Sequence, residues 1–394
     1  MSSIWAVFAA LTFLGCSPHS SLNAAPHSLI DRQATPQTIA LFEHMSQLAE
    51  QQIMFGHQDD LAYGLHWWNE PNRSDVKDVV GDYPAVTGWE IGGLELGHQV
   101  NIDGVNFANM QAWIKQVFLR GGINTISWHI HDPVSGASSW SNQSPVEQLL
   151  PGASHHHQLL AYLDSFVAFN QQLFVVNEFG QQVHIPIIFR PWHEHSGDWF
   201  WWGKGNTAEQ DYIALWRFTV HYLRDVKQQH NLIYAYSPDR SRLRDSHFTE
   251  DYLWGYPGDD YVDIMGIDNY WDMRGEMDQQ LAQQKLASFV FSTEQLSKLA
   301  HQHGKLAALT EAGSGRLEYP PMWTEILLTG LQANTWTKRM AYVLVWRNSN
   351  LDKEQREQFF TPPPEHPSAP YFKRFYQDPM TLFNADLPPM YRAP

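Results

Sequence analysis

The stretch from Ile185 to Gly203, IPIIFRPWHEHSGDWFWWG, carries the densest group of side chains that could do chemistry. Its apolar start is typical of a strand buried on both faces, and Pro191 ends such a strand because proline lacks an N–H donor. With the strand period of two, Arg190, Trp192 and Glu194 would share one face. A guanidinium, an indole and a carboxylate that converge in this way predict a reaction site, with Glu194 as a general acid or base.

Tryptophans follow this glutamate closely. Trp199, Trp201 and Trp202 would offer flat apolar surfaces against which a sugar ring can stack. The alternative is that the same tryptophans pack as a lid over the domain. The first interpretation favours a polysaccharide as the substrate.

The composition agrees with an uncharged polymer as the partner. The 394 residues carry a formal net charge of -16, which would repel nucleic acid and acidic polymers. Hydrophobic residues make up 43% of the chain, enough for a sizeable core, and charged residues only 17%. A neutral polysaccharide fits both the charge and the 17 tryptophans.

Eight apolar runs predict strands that alternate with helical patterns. Alternation of this kind favours parallel pairing through right-handed crossovers, and eight units close into a barrel. We therefore predict the α/β class with a single (β/α)8 TIM barrel and an active site at the C-terminal face of the strands; a doubly wound open sheet is the alternative. The predicted strands are 53–56, 85–89, 123–128, 185–189, 232–236, 262–267, 306–309 and 341–345.

The helical patterns between the strands have recognisable ends. A helix is predicted over 38–52, another ends at Gly121-Gly122, and a long one over 277–303 ends at Gly304. Thr207 with Gln210 resembles a capping box that would begin a further helix. The aromatic tail over 371–383 is expected to pack back on the barrel.

Polar side chains recur directly after the predicted strands, which is where barrel enzymes build their sites. The groups are Trp128-His129-Ile130-His131-Asp132 after the third strand, His193-Glu194-His195 after the fourth, Asp268-Asn269-Tyr270-Trp271 after the sixth, Thr310-Glu311-Ala312-Gly313 after the seventh and Trp346-Arg347-Asn348 after the eighth.

Two of these groups supply a carboxylate pair. Hydrolysis of a glycosidic bond with retention needs one carboxyl to protonate the leaving oxygen and a second, about 5–5.5 Å away, to attack the anomeric carbon. Glu194 and Glu311 are the best-placed pair. Arg190 would help to keep Glu311 ionised, and the hydroxyl of Tyr270 could hold the same carboxylate in line.

These motifs resemble glycoside hydrolase family 26, a family of retaining (β/α)8 β-mannanases. RPWHEHSGDWFWWG is similar to the acid/base segment of the family, TEAG to its nucleophile segment, and SWH, DNYW and VWRN to its subsite segments, so the resemblance spans about residues 36–383. One departure is Trp192, where many members have phenylalanine. The resemblance implies that Glu194 is the acid/base and Glu311 the nucleophile. It also implies a set of sugar-binding residues, namely His129, His193, Trp199, Tyr270, Trp346 and Arg347.

Several other residues admit two interpretations. Glu90 is a candidate sugar contact or a structural acceptor, and Asp103 is a turn residue or a contact for side groups of the polymer. Trp67 and Trp68 line a distal subsite or simply pack. His129 and His131 with His193 and His195 could suggest a metal site, but metal-dependent barrels usually carry this motif on the first strand, so we expect neither a metal nor a cofactor.

The amino terminus predicts export. Residues 1–16 resemble a lipoprotein signal, in which Phe13-Leu14-Gly15-Cys16 would end with a lipidated cysteine, although the run has Phe13 where leucine is usual and no Lys or Arg precedes it. Ser17 after the cysteine resembles outer-membrane sorting. An ordinary secretory signal or a disordered leader is the alternative. Residues 17–35 are expected to be a flexible linker, and 36–394 the catalytic domain.

The sequence therefore predicts a monomeric, exported β-1,4-mannanase that is lipid-anchored to the outer membrane, or else periplasmic or secreted. It would act on mannan, galactomannan or manno-oligosaccharides, cutting within chains or releasing mannobiose from an end. The enzymatic alternative is a β-1,3-xylanase or a mixed-linkage glucanase of the same fold. The alternative of another class is a surface lipoprotein that binds mannan without cutting it.

Overall fold

Eight parallel strands form a closed barrel in the computed structural model, which describes residues 27–394. The first strand pairs with the eighth, with Met54 opposite Tyr342, so the sheet is closed and the open-sheet alternative is wrong. We label the strands in chain order: Ile53–Gln58 (β1), Val86–Glu90 (β2), Ile123–Ser127 (β3), Ile187–Arg190 (β4), Leu232–Tyr236 (β5), Ile264–Asn269 (β6), Leu306–Ala312 (β7) and Met340–Val345 (β8).

All eight predicted strands exist, with shifted ends. Every residue of these strands is buried, as expected for strands covered on both faces. β4 begins at Ile187 rather than Ile185, and β7 continues to Ala312, so that Glu311 lies on the strand itself.

Helices cover the outside of the barrel. The predicted helix at Thr207 begins at Glu209 instead, after Ala208, so the capping box is wrong. The Thr207 hydroxyl instead donates to the carbonyl of Trp201, at 3.0 Å. The α-helices are Pro36–Leu48, Asp75–Val80, Phe107–Leu119, Val146–Leu149, His156–Asn170, Glu209–His221, Phe248–Tyr252, Gln279–Gln302, Thr329–Gln332, Leu351–Glu354 and Ala369–Gln377.

The first helix closes the end at which the barrel strands begin. Leu41, Phe42 and Met45 pack with interior residues of the barrel such as Met54 and Ile233. Burial of these side chains, at about 25 cal/mol for each Å² of apolar surface, favours this closure. The site residues at the other end therefore rest on a filled barrel.

The chain makes contact with this closed end before the first helix begins. The backbone N–H of Ile30 donates to Asp263 at 2.8 Å, and His230 donates to the buried Asp31 at 2.8 Å. Residues 27–35 of the predicted linker are thus in contact with the barrel. The rest of that linker, the predicted signal segment and Cys16 lie outside the described residues.

The carboxyl-terminal tail packs on the barrel, as predicted. Phe372 and Phe375 of the last helix are fully buried against Phe55 of β1. A short strand, Thr381–Leu382, then pairs with the start of β1. Two small antiparallel hairpins complete the strands: Tyr63–Gly64 with Trp67–Trp68, and Phe174–Val176 with Gln182–His184. Across residues 27–394, the helices are all too short or too polar to cross a membrane.

Candidate active site

Three carboxyl groups meet at the end of the barrel to which the strands point. One oxygen each from Glu194, Asp268 and Glu311 lies within 4.8 Å of the other two. Glu194 follows β4, while the other two residues lie near the ends of β6 and β7. The predicted pair therefore comes together across the mouth of the barrel. One oxygen of Glu194 thus lies within 4.8 Å of one oxygen of Glu311, which is compatible with the spacing of about 5–5.5 Å between the carboxyl groups of retaining glycosidases.

Both oxygens of Glu311 accept hydrogen bonds. Arg190 donates to one oxygen, and the Tyr270 hydroxyl donates to the other at 2.6 Å. Both contacts were expected from the sequence. Arg190 also contacts Asp268 at 2.9 Å and Ser237 at 3.1 Å. Burial lowers the pKa of Arg190, but the two carboxylates outweigh it and raise the pKa above its ordinary value. A permanently charged arginine therefore lies against both Glu311 and Asp268.

Glu194 has the opposite environment. Its side chain is half-buried, yet its carboxyl group is surrounded by protein. Burial, followed by the nearby carboxylates of Asp239 and Glu311, raises the pKa of Glu194 well above its ordinary value. The indole N–H of Trp199 donates to Glu194 at 2.7 Å and opposes this rise. One carboxyl of the pair is therefore poised to carry a proton, while the other accepts hydrogen bonds from a guanidinium and a phenol.

The backbone after β4 does not stay extended. Trp192 and Glu194 have φ angles of 53° and 51°, a left-handed conformation that costs non-glycine residues about 1–3 kcal/mol. The expectation that Arg190, Trp192 and Glu194 share one face is therefore wrong. Trp192 is buried in the core, while the other two reach the site.

Hydrogen bonds hold this turn in place. Tyr212 donates to the carbonyl of Trp192, and Trp202 donates to the carbonyl of His193, each at 2.9 Å. The N–H of Glu194 donates to the carbonyl of Ser237 at 2.8 Å. Because buried donors satisfy these backbone groups, the strained turn is retained and aims the Glu194 side chain into the mouth of the barrel.

The tryptophans after Glu194 divide into two kinds. Trp201 and Trp202 are fully buried, so the expectation that they stack on sugar is wrong for both. The indole of Trp201 donates to the carbonyl of Ile130 at 3.0 Å. Trp199 is partly exposed and contacts Glu194. Sequence could not separate the three, because burial depends on how the loop folds over β3.

His129, Glu90 and His193 form a connected row beside the carboxyl pair. Glu90 accepts from the backbone N–H of His129 at 2.7 Å and pairs with its Nδ1 atom at 2.8 Å. The Nε2 atom of His129 lies 3.3 Å from that of His193. Burial lowers the pKa of His129, but Glu90 outweighs it and raises the pKa; burial and then Arg190 hold the pKa of His193 well below its ordinary value. The two imidazoles thus face each other through their Nε2 atoms, and only His129 has a carboxylate partner.

Two tryptophan rings flank His129. The ring of Trp140 stacks on the imidazole with centroids 4.9 Å apart, and it is 56% exposed. Trp346, after β8, meets the same imidazole edge to face at 6.1 Å. The second tryptophan was predicted from the sequence and the first was not. Trp140 lies in a long loop after β3, too far from the strand end for strand register to reveal it.

A second charged cluster lies to one side of the mouth. Arg347 pairs with Asp103 at 2.9 Å and with both oxygens of Glu354, at 2.8 and 2.9 Å. Its guanidinium also lies over the ring of Tyr63, which donates to Asp59 at 2.8 Å. We call these five residues the distal cluster. Asp103 is a partner of Arg347 rather than a simple turn residue.

Trp67 and Trp68 of the first loop, for which the sequence allowed two interpretations, lie next to the distal cluster. Trp67 is buried and donates to Asp75 at 2.7 Å, so it packs. Trp68 is half-buried, stacks on Tyr63 at 4.8 Å and lies beneath the Lys353 ammonium at 4.4 Å. Only Trp68 reaches the rim of the mouth.

Metal binding at the three carboxyl groups meets a competing cation. Arg190 already pairs with Asp268 and Glu311, so a metal ion at their oxygens would stand beside a buried guanidinium. Two of the four histidines of the H-x-H motifs have partners of their own, because His131 contacts Glu95 and His195 contacts Tyr236. The other two, His129 and His193, contact each other. The donor set is thus organised around an arginine rather than around a metal.

Three further polar residues of the site had no role assigned from the sequence. Asp268 and Ser237 both contact Arg190, and Asp239 lies near enough to Glu194 to affect its pKa. Asp268 could have been found, because it precedes Tyr270 by two positions at the end of β6. Asp239 could not, since it lies beyond β5 in a turn whose direction the sequence does not show.

Known proteins resemble this chain in sequence and structure. The family model for glycosyl hydrolase family 26 matches residues 30–345. A mannan endo-1,4-beta-mannosidase of Bifidobacterium adolescentis is 33% identical over 342 residues, covering 84% of this chain and 33% of that protein. The chain thus spans about a third of the length of that relative. A Bacillus subtilis protein of the same name is 27% identical over 275 residues, covering 66% of this chain and 71% of that protein.

Solved structures agree with the sequence relatives. A family 26 β-mannanase from Bacteroides ovatus superposes with a TM-score of 0.81 and 36% identity, covering 91% of this chain and 98% of that one. An endo-β-1,4-mannanase double mutant from Cellulomonas fimi has a TM-score of 0.80 and 32% identity, covering 93% and 80%. The closed barrel is therefore the fold of these enzymes.

Proposed function

This chain belongs to glycosyl hydrolase family 26, and from that premise we propose that it is a retaining β-1,4-mannanase. The observation that carries the proposal is the unequal carboxyl pair. Glu194 and Glu311 present oxygens within 4.8 Å, one in a site that favours its protonated form and one beside an arginine. The relatives named as mannan endo-1,4-beta-mannosidases support β-mannan as the substrate class.

The proposed reaction has two steps at these carboxyl groups. Glu311 attacks the anomeric carbon while Glu194 gives its proton to the leaving oxygen, so that a glycosyl ester forms and the shortened chain departs. Loss of the negative charge on Glu311 then lowers the pKa of Glu194. Glu194 can now remove a proton from water, which attacks the ester and regenerates both groups.

The surrounding residues are proposed to hold the sugar. Glu90 orients His129. His129 and His193 together form a polar wall beside the anomeric centre. Trp346 and Trp199 border the same space, and Tyr270 keeps Glu311 in line. The distal cluster, with Arg347 and Asp103, would bind a more remote part of the chain.

Product analysis tests the substrate and the mode of cutting together. The wild-type protein is incubated with β-1,4-mannan, galactomannan, β-1,3-xylan and mixed-linkage glucan, and the products are followed over time. Cleavage of the mannans is expected. Mixed product lengths would indicate cutting within chains, and one dominant disaccharide would indicate release of mannobiose from an end. Cleavage of xylan or glucan alone would refute β-mannan as the substrate. Binding of mannan without any products would favour the alternative of a lipoprotein that binds mannan without cutting it.

Export and anchoring form a separate part of the proposal. We propose that residues 1–16 direct export and that Cys16 carries a lipid that holds the enzyme at the outer membrane, with residues 36–394 as one monomeric catalytic domain. Labelling of cells with a radioactive fatty acid tests this, with Cys16→Ala as the control. Labelled wild type beside an unlabelled variant is expected. An unlabelled mature protein that begins after Cys16 would refute lipidation and favour secretion or a periplasmic location.

A further inference from the structure

The indole of Trp199 is contacted on both of its faces. Gly197 packs on the six-membered ring so closely that a Cβ atom there would lie 2.3 Å from two ring carbons. The Arg242 guanidinium lies over the ring at 5.2 Å from its centroid. Because Gly197 fills one face, the guanidinium covers the other. The indole is thus held between a backbone and a cation.

Arg242 is itself fixed from two directions. Its guanidinium pairs with Asp198 at 2.6 Å, in the loop that also carries Trp199. Its backbone belongs to the 3-10 turn Arg240–Arg242, whose start is capped by Asp239, which accepts from the N–H of Ser241 at 2.8 Å. The contact therefore joins the loop after β5 to the loop after β4, over the indole that donates to Glu194.

We propose that Arg242 is a positioning residue for the acid/base, which it serves by pressing the Trp199 indole into hydrogen-bonding contact with Glu194. This inference rests on the proposed role of Glu194. The Arg242 side chain is 47% exposed, and Asp198 partly balances its charge. We therefore expect its packing against the indole to matter more for Glu194 than its positive charge does. Planarity suits arginine to this task, because a guanidinium can lie flat on an indole and an ammonium cannot.

Loss of the hydrogen bond from the Trp199 indole to Glu194 should change the pH dependence of acid catalysis. The Trp199 hydrogen bond lowers the pKa of Glu194, so its loss raises that pKa further. Since Glu194 must be protonated for the first step, the basic limb of kcat/KM would move to higher pH. Removal of the positive charge of Arg242 would by itself also raise the pKa of Glu194, because a nearby cation favours the ionised carboxylate. A lysine at this position keeps the positive charge but lacks the planar guanidinium, and so separates the two causes.

The test is a double-mutant cycle with Arg242→Ala, Arg242→Lys, Trp199→Phe and the double variant. On a manno-oligosaccharide, Arg242→Ala is expected to lower kcat/KM about two- to fivefold, the range for an exposed cation–π contact of about 0.5–1 kcal/mol. On an aryl mannoside with a good leaving group, which needs no protonation, little change is expected. Arg242→Lys should restore only part of the loss. In the Trp199→Phe background, Arg242→Ala should add nothing.

Two kinetic results would overturn the inference: equal losses on both substrates, or an undiminished effect of Arg242→Ala in the Trp199→Phe background. A spectroscopic measurement keeps the test separate from the proposed function. The 15N–1H signal of the Trp199 indole, identified by its absence in Trp199→Phe, should titrate with Glu194 and shift in Arg242→Ala. If wild type cleaves no β-mannan, the proposed function fails, while this signal still reports whether Arg242 positions the indole. An unchanged signal and titration in Arg242→Ala would refute the positioning role.

Discussion

The reaction centre and the distal cluster use the same buried ion arrangement for different ends. In each, one arginine contacts two carboxylates: Arg190 with Asp268 and Glu311, and Arg347 with Asp103 and Glu354. At the reaction centre the Tyr270 hydroxyl donates to one of these two carboxylates, Glu311, whereas in the distal cluster the Tyr63 hydroxyl donates to a third carboxylate, Asp59. Arg190 is 3% exposed on its side chain and Arg347 is 12% exposed, so both are shielded from solvent.

The difference lies in the carboxyl group across from each arginine. At the reaction centre, Glu194 stands within 4.8 Å of Glu311 and reaches the mouth of the barrel. In the distal cluster, Asp59 is turned to Tyr63 and is fully buried. In the proposed mechanism, a buried ion pair becomes a reaction centre when a second carboxyl can reach the bond to be broken. Otherwise it can only bind and orient.

The largest effect is expected for Glu311→Ala. Without the nucleophile, turnover of mannan should fall on the order of 10⁴-fold or more, while polymer binding is retained. Steady-state kinetics and a binding assay measure both. Glu43→Ala is the matched control, because Glu43 is exposed on the helix at the opposite end of the barrel. Near-normal turnover in Glu311→Ala would contradict the nucleophile assignment.

Glu194→Ala should divide substrates by their leaving groups. In the proposed mechanism, mannan and manno-oligosaccharides need a proton from Glu194, so their cleavage should slow about 10²–10⁴-fold in this variant. Aryl mannosides with good leaving groups should react far better in the first step. Added azide can replace water in the second step, and the glycosyl azide should keep the β configuration. Equal losses on both substrates would count against the acid/base role.

The proposed chemistry also sets a pH dependence. Because burial raises the pKa of Glu194, the acid stays protonated above the range in which an ordinary glutamate ionises. The kcat/KM for mannan should therefore fall only when the pH rises past that raised value, and this basic limb should vanish in Glu194→Ala. Persistence of the same limb in the variant would assign it to another group.

A smaller effect is expected in the distal cluster. Arg347→Ala leaves Asp103 and Glu354 without their shared cation and should lower kcat/KM on long substrates about 10- to 100-fold. Arg347→Lys keeps the charge but loses the two-point contact with Glu354, so it should recover only part of the activity. Kinetics on substrates of increasing length measure this. An equal loss on the shortest cleavable substrate would show that the cluster affects the reaction centre itself.

The smallest expected effect concerns stability. Burial, followed by the nearby Asp103, raises the pKa of Asp59 well above its ordinary value. A raised folded-state pKa gives stability that is present at low pH and is lost as the pH rises through that value. Asp59→Asn should therefore flatten the pH dependence of the unfolding free energy, by at most about 1.4 kcal/mol per pH unit. Urea unfolding between about pH 4 and 8 measures it; parallel curves for both proteins would contradict the prediction.

The sequence predicted the parts of the site that follow directly from strand order. Strand-end motifs placed Glu194, Glu311, Tyr270 and Arg190 at one end of the barrel, and their contacts are present. The prediction failed where the backbone leaves the strand. Period-two alternation put Trp192 on the site face, but its left-handed φ turns it into the core.

The sequence by itself determined that the polar groups directly after the strands stand at one end of the barrel, because alternating strands and helices make every strand end at the same face. Only the tertiary structure decided how those groups interact. The approach of the carboxyl oxygens to within 4.8 Å, the burial that raises the pKa of Glu194 and the contact of Arg242 with Trp199 all depend on residues from different loops. Their distances depend on how loops far apart in sequence pack against one another, and local periodicity carries no information about that packing.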